Sequence, residues 1–153
     1  AMNRLVFVYG TLKRGEPNHR FIENAKGVAR FVASGVLRDA YPLVIASKYN
    51  IPFLLNKPGE GHRIRGEIYD VDDVTMRDLD QLEGYPDLYT REEKEVEMDD
   101  RSVARAWVYI LRSFDEKLLA TATVPLADYR STGDHGRAYV EGEDCETYDD
   151  LFR

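Results

Sequence analysis

The chain has 153 residues, of which 43% are hydrophobic, and a formal net charge of −7 at pH 7. This length predicts one domain with a sizeable core, and the hydrophobic fraction excludes a wholly disordered chain. The negative charge disfavours nucleic acid and anionic membranes as partners. Because Cys145 is the only cysteine, an intramolecular disulfide and a cysteine-based zinc site are excluded. With no signal-like opening and no apolar stretch of membrane-spanning length, we expect a cytoplasmic protein.

The first half of the chain predicts short strands separated by turns. Residues 5–9 form an apolar run rich in β-branched and aromatic residues, and it stops at Gly10. A short helical turn is expected over residues 18–24. Strands are expected over residues 28–37, 43–46 and 52–55. A half-exposed strand follows around residues 64–68, where charged residues alternate with apolar ones and glycine.

The second half predicts one longer helix and a hairpin. The helix begins after Asp72 or Asp73, runs to about Leu82 and ends beside Gly84. Residues 89–98 and 103–111 predict a hairpin, and residues 131–153 predict an acidic surface tail. Many short strands with one or two flanking helices indicate a single α+β domain over residues 2–153. Its sheet should be mixed and curled or barrel-like.

The turn after the first strand is the first candidate for binding chemistry. Residues 6–15 read Val-Phe-Val-Tyr-Gly-Thr-Leu-Lys-Arg-Gly. Because Gly10 has no Cβ, backbone N–H groups there can approach a negatively polarised ligand oxygen. An ordinary glycine turn is the alternative. A phosphate-binding loop is disfavoured because Glu16 and Pro17 stand where such a loop needs lysine and a hydroxyl residue.

The end of the predicted helix carries the second candidate. On a helical wheel Met76, Leu79 and Leu82 form an apolar stripe, and Glu83 falls within that stripe. Burial and the negative end of the helix dipole should both raise the pKa of this carboxyl group. Such a group is suited to moving protons near neutral pH. The alternative is a glutamate that points into water beside Gly84.

Other common catalytic arrangements are missing from the sequence. The three histidines do not have metal-ligand spacing, and no serine lies in a Gly-x-Ser-x-Gly turn. Cys145 is surrounded by carboxylates, which oppose thiolate formation. We therefore expect neither a metal site nor a nucleophilic side chain.

Two segments together resemble the gamma-glutamylcyclotransferase-like family. They are Val-Tyr-Gly-Thr-Leu-Lys-Arg-Gly at residues 8–15 and Leu-Asp-Gln-Leu-Glu-Gly-Tyr at residues 79–85. The resemblance extends over nearly the whole chain and implies the family's fold. It implies that Glu83 is the general base and that a backbone turn binds the glutamyl group, here formed by Tyr9, Gly10, Thr11 and Leu12.

The resemblance also implies a reaction. The α-amine of a γ-glutamyl group attacks its own side-chain carbonyl, which yields 5-oxoproline and a free amine. Thr11 and Leu12 stand where relatives acting on γ-glutamyl dipeptides carry Ser-Asn, which favours the branch that acts on γ-glutamylamines such as γ-glutamyl-ε-lysine. We expect a monomer that needs a small-molecule substrate and no cofactor. The alternatives are a sister enzyme for γ-glutamyl α-amino acids or glutathione, and a non-catalytic metabolite-binding module.

Overall fold

The computed structural model describes residues 4–140, so Cys145 and most of the predicted tail lie outside the described residues. The helices are α1 (Arg20–Glu23), α2 (Asp73–Glu83) and α3 (Glu116–Ala120). The strands, in chain order, are β1 (Arg4–Val8), β2 (Ala29–Tyr41), β3 (Leu43–Ala46), β4 (Ile51–Leu54), β5 (His62–Val71), β6 (Tyr89–Met98) and β7 (Val103–Leu111).

Five strands close into a barrel in the order β1-β5-β2-β6-β7. Their pairs are antiparallel except the closing pair, in which β1 and β7 run parallel and meet at Val6 and Trp107. Strands β3 and β4 form a separate antiparallel pair, which a bridge between Leu55 and Leu111 joins to the barrel. The single parallel pair makes the sheet mixed, which confirms the predicted barrel-like α+β architecture.

From Val6 to Val8, strand β1 is buried on both faces, which explains why this part of its sequence is continuously apolar. Phe7 packs inside the barrel with Ile64, Ile68 and Val108, and Tyr9 continues that face beyond the strand end. Val6 and Val8 face outward into a second apolar layer. That outer layer includes residues of α2 and α3, so β1 lies between the barrel interior and the helices.

Helix α2 has the boundaries that its end residues predict. The side chain of the N-cap Asp72 accepts a hydrogen bond from the backbone N–H of Thr75 at 3.0 Å. At the other end Gly84 adopts the left-handed conformation, with φ of 67° and ψ of 34°. Met76 and Leu79 are buried against the outer face of β1. This packing places the last turn of α2 close to the end of β1.

Three details differ from the sequence prediction. The described residues contain three helices rather than one or two, because α3 has only five residues and is too short to show a helical period. Strand β2 continues to Tyr41 through two register shifts. Leu82 is 40% exposed, because it lies at the edge of the apolar stripe rather than at its centre.

The segment of residues 131–140 packs against the turn between β3 and β4. Ser131 is buried, and its hydroxyl accepts a hydrogen bond from the backbone N–H of Tyr139 at 2.9 Å. The backbone N–H of Val140 donates to the carbonyl oxygen of Tyr49 at 2.9 Å. This segment is called the strap below. Within residues 4–140, no helix combines the length and apolar character needed to cross a bilayer.

Candidate active site

The end of β1 and the last turn of α2 meet at one small cavity. Its volume is about 70 Å³, and it contains all five residues that the sequence analysis selected. The turn supplies one wall, Glu83 supplies another, and β1, β4, β6 and β7 supply the rest. The lining residues are Phe7, Val8, Tyr9, Gly10, Thr11, Leu12, Ile51, Pro52, Glu83, Tyr89 and Tyr109.

The turn after β1 lines this cavity and contains backbone N–H groups without a protein acceptor. Its internal hydrogen bonds use carbonyl oxygens as acceptors: the N–H of Lys13 donates to Gly10, and the N–H of Asn18 donates to Thr11. The N–H groups of residues 10–12 donate to no acceptor within the part of the chain that the structure describes. They are therefore available to an oxygen atom placed in the cavity.

Gly10 is required for close packing rather than for an unusual backbone angle. Its φ does not lie in the left-handed region. A Cβ at this position would lie 2.9 Å from Cγ of Pro52, which is shorter than a normal contact. Because Pro52 also lines the cavity, the missing side chain brings the turn and β4 together around the same space.

Glu83 is the one carboxylate among the lining residues of the cavity. Burial raises its pKa to about 7, because the ionised form loses contact with water. No cation pairs with this carboxyl group within residues 4–140. Glu83 is half-buried and lines the cavity, so it does not point freely into water as in the alternative. A carboxyl group with this pKa can both accept and return a proton near neutral pH.

Three tyrosines line the cavity together with Glu83: Tyr9, Tyr89 and Tyr109. The hydroxyl of Tyr9 donates to the backbone carbonyl of Tyr109 at 2.7 Å, so it is already engaged with the protein. Burial raises the pKa of Tyr9 and of Tyr89 well above the usual range, and the negative charge of Glu83 raises both further. These phenols therefore remain protonated at neutral pH and act as neutral walls of the cavity.

A network on the same face of α2 was missed by the sequence analysis. Arg91 on β6 contacts Asp80 through two hydrogen bonds, from Nε at 2.8 Å and from a terminal nitrogen at 3.1 Å. The hydroxyl of Tyr109 donates to the same carboxylate at 2.6 Å. Asp80 precedes Glu83 by three residues, so this network fixes the helix turn that carries Glu83. The helical wheel contained this signal, because it places Asp80 beside Met76 in the buried stripe.

A second cavity of about 150 Å³ adjoins the first and is called the outer compartment. It shares Thr11, Ile51, Glu83 and Tyr89 with the first cavity. Its other lining residues are Asn18, Phe53, Leu82, Leu88 and Tyr139. Tyr139 belongs to the strap, so no local sequence pattern could have connected it with Glu83. The complete site therefore has an inner part beside the turn and an outer part beside the strap.

Two cations near the turn point away from the site. Lys13 is buried, and its Nζ donates to Asp128 and to the carbonyl oxygen of Tyr129, both at 2.6 Å. Arg14 pairs with Glu67 at 3.2 Å. Neither cation lines the inner cavity or the outer compartment. Within residues 4–140, no three histidine, cysteine, aspartate or glutamate side chains cluster in a metal-binding arrangement.

Comparison with known proteins assigns a family to this arrangement. A family model described as gamma-glutamyl cyclotransferase, AIG2-like, matches residues 6–131. The chain is 43% identical over 148 residues to a gamma-glutamylaminecyclotransferase of Homo sapiens, covering 88% of this chain and 95% of that protein. It is 49% identical over 116 residues to a putative gamma-glutamylcyclotransferase of Drosophila melanogaster, covering 75% of this chain and 74% of that protein.

A solved structure supports the same assignment. The crystal structure of an AIG2-like protein from Mus musculus superposes with a TM-score of 0.85 at 36% sequence identity, covering 92% of this chain and 97% of that chain. The family resemblance seen in the two sequence motifs is thereby confirmed. The chain belongs to the AIG2-like gamma-glutamyl cyclotransferase family and is a cyclotransferase enzyme.

Proposed function

We propose that this enzyme converts γ-glutamylamines, with γ-glutamyl-ε-lysine as the main example, to 5-oxoproline and the free amine. The observation that carries the proposal is the isolated carboxyl group of Glu83, which faces a turn with available backbone N–H groups across one small cavity. The names of the relatives support the amine-type substrate. The turn of Tyr9, Gly10, Thr11 and Leu12 would hold the glutamyl half.

The reaction closes a ring within one substrate molecule. The α-ammonium group gives a proton to the carboxylate of Glu83, and the resulting amine attacks the γ-carbonyl carbon. A new C–N bond forms, and the attacking nitrogen then gives up a second proton, so that the lactam is neutral. The bond from the γ-carbon to the leaving nitrogen breaks as Glu83 passes both protons in turn to that nitrogen, which departs as an ammonium ion. Because the attack is intramolecular, the enzyme needs only to hold the folded conformer of the substrate.

The pKa of Glu83 suits both proton transfers. A carboxylate with an ordinary pKa would be a weak base toward an ammonium group, whereas one raised to about 7 accepts the proton more readily. The N–H groups of residues 10–12 would stabilise the oxyanion that develops on the γ-carbonyl oxygen. Losing one such donor typically costs about 2.7–4 kcal/mol of transition-state stabilisation.

The proposal is tested by measuring 5-oxoproline released from a panel of γ-glutamyl compounds. The panel contains γ-glutamyl-ε-lysine, γ-glutamyl-alanine, glutathione and γ-glutamyl-ε-lysine acetylated on the glutamyl α-amine. We expect the highest kcat/KM for γ-glutamyl-ε-lysine. The acetylated compound should be inert, because its nitrogen can no longer attack. Faster turnover of γ-glutamyl-alanine or glutathione would contradict the amine-type assignment, and no turnover with retained binding would indicate a metabolite-binding module.

A further inference from the structure

The outer compartment has a lining that is unsuited to a charged group. Phe53, Leu82 and Leu88 supply its apolar surface, and Asn18 supplies a neutral polar group. Glu83 is the one charged residue among its lining residues, and no lysine or arginine is among them. A second carboxylate placed here would lose water and lie beside Glu83 without a cation to compensate it. An uncharged alkyl chain would instead be stabilised by burial.

Tyr139 is the lining residue of this compartment that comes from the strap. The side-chain amide of Asn18 donates to the hydroxyl of Tyr139 at 3.3 Å and to the hydroxyl of Thr11 at 3.0 Å. Tyr139 also lies close enough to Tyr89 to raise the pKa of that phenol. One side chain of the strap is therefore connected to the turn that would bind the glutamyl half.

The position of Tyr139 depends on Arg137, two residues earlier in the strap. The guanidinium group of Arg137 donates to the carbonyl oxygens of Ile45 at 3.2 Å and Ser47 at 3.1 Å, and to that of Thr121. It also donates to the side chain of Asn50 at 3.0 Å. Asn50 in turn donates to the backbone of residue 138 at 2.9 Å. Only the planar, five-donor arginine side chain can satisfy such a set of acceptors.

We propose that Tyr139 is a specificity-determining residue that encloses the alkyl chain of the leaving amine, and that Arg137 is the positioning residue that holds Tyr139 there. The inference rests on the proposed function and names the part of the substrate that this surface selects. In γ-glutamyl-ε-lysine, four methylenes separate the scissile nitrogen from the α-carbon of lysine, which carries the charged amino and carboxylate groups. Only the alkyl chain therefore enters the compartment. In γ-glutamyl-alanine, the carboxylate is attached to the first carbon and would enter it.

The experiment compares substrates that differ only in the length of an uncharged leaving group. Initial rates are measured for γ-glutamyl-methylamine and γ-glutamyl-butylamine with the full-length enzyme, and the ratio of their kcat/KM values is the readout. Each buried methylene is worth about fourfold in binding, so the parent enzyme should prefer the butyl compound by roughly 10-fold to 60-fold. The affinity for 5-oxoproline, which lacks the leaving amine, is measured for every variant.

Tyr139→Ala should lower the butyl-to-methyl ratio by about 5-fold to 10-fold, because the wall along the alkyl chain is removed. Tyr139→Phe keeps the ring and should retain most of the ratio. Thr132→Ala is the matched control, because Thr132 is an exposed residue of the same strap. Arg137→Met should lower the ratio in the same direction as Tyr139→Ala, and Arg137→Lys should lower it less.

The outcomes separate this inference from the proposed function. If the parent enzyme releases 5-oxoproline from neither amine, the proposed function is wrong. If it releases 5-oxoproline from both but Tyr139→Ala keeps the parent ratio, the function stands and the role of Tyr139 is wrong. A loss of 5-oxoproline affinity that matches the loss of rate for both amines would also overturn the inference, because it would indicate a general disturbance of the site.

Discussion

Glu83 is the residue on which the catalytic proposal depends, and its removal gives the first prediction. Glu83→Gln keeps the size and hydrogen-bonding capacity of the side chain but cannot accept a proton. We expect kcat to fall by about 10²-fold to 10⁴-fold, the usual contribution of a general acid–base group, with 5-oxoproline binding retained. Steady-state rates and 5-oxoproline titration check this. Glu60→Gln, at an exposed loop residue, is the control. Activity of Glu83→Gln within a few-fold of the parent would contradict the role.

The raised pKa of Glu83 also predicts how stability depends on pH. Its folded-state pKa of about 7 lies above the ordinary 4.5, so the folded state binds more protons between these values. The contribution of this group to the free energy of unfolding is therefore fully present below pH 4.5 and is lost as the pH rises through 7. Glu83→Gln should raise the free energy of unfolding by about 2–3 kcal/mol at pH 8 and leave it unchanged near pH 4. Denaturant titrations of both proteins at the two pH values measure this difference, and an equal difference at both would contradict the burial of the carboxyl group.

At the scale of single elements, the last turn of α2 must be held against β6 and β7. The carboxylate of Asp80 makes this connection through Arg91 and Tyr109, and the arginine also lies over the rings of Tyr85 and Trp107. The network is partly buried and bidentate, which gives it geometric precision that a surface ion pair lacks. Its proposed effect on catalysis is to position Glu83.

Asp80→Asn tests that connection. The amide keeps the shape of the side chain but loses the charge that binds the guanidinium group, so we expect kcat to fall by about 10-fold with a smaller change in KM. The measurement is the pH profile of kcat/KM, whose acidic limb should move because the surroundings of Glu83 change. Asp78→Asn, at an exposed position of the same helix, is the control. A change in thermal stability with an unaltered profile would indicate a purely structural role for Asp80.

At the scale of the whole molecule, two glycines are required for different reasons. Gly66 is required for the stability of the barrel, and Gly10 is required for the shape of the site. Gly66 lies in β5, and a Cβ there would lie 2.4 Å from the carbonyl oxygen of Val8 and 2.5 Å from the ring of Phe7. At Gly10 the nearest atom to an added Cβ is the ring carbon of Pro52 at 2.9 Å. A side chain at Gly66 would disturb strand pairing within the barrel, whereas a side chain at Gly10 would disturb packing between the turn and β4.

Gly66→Ala should therefore lower the free energy of unfolding by about 3 kcal/mol or more, because rigid backbone must move within a closed sheet. Gly10→Ala should lower it by about 1–2 kcal/mol and reduce kcat/KM by a larger factor than its stability loss explains, since Pro52 lines the cavity. Thermal melts and initial rates at a temperature where both variants are folded distinguish the two effects. Equal stability loss at both positions would show that Gly10 is mainly a structural residue.

The local sequence was sufficient to predict the strands, helix α2 and the two motifs of the site. Alternation and apolar runs depend on neighbouring residues, so β3 and the β6–β7 hairpin were predicted with their observed bounds. The cap residues Asp72 and Gly84 likewise marked the ends of α2. Glu83 could be placed in the buried stripe because the helical period is a local property.

Only the tertiary structure decided which distant residues complete the site. Arg91 and Tyr109 reach Asp80 because β6 and β7 pack beside α2, and Tyr139 reaches the outer compartment because the strap packs against the turn between β3 and β4. The tertiary structure also shows that Lys13 and Arg14, which lie beside the turn in sequence, pair with residues outside the site. These contacts join residues far apart in the chain, and their formation depends on barrel closure and on the free energy of the whole fold. No pattern within a short window of sequence encodes such long-range contacts.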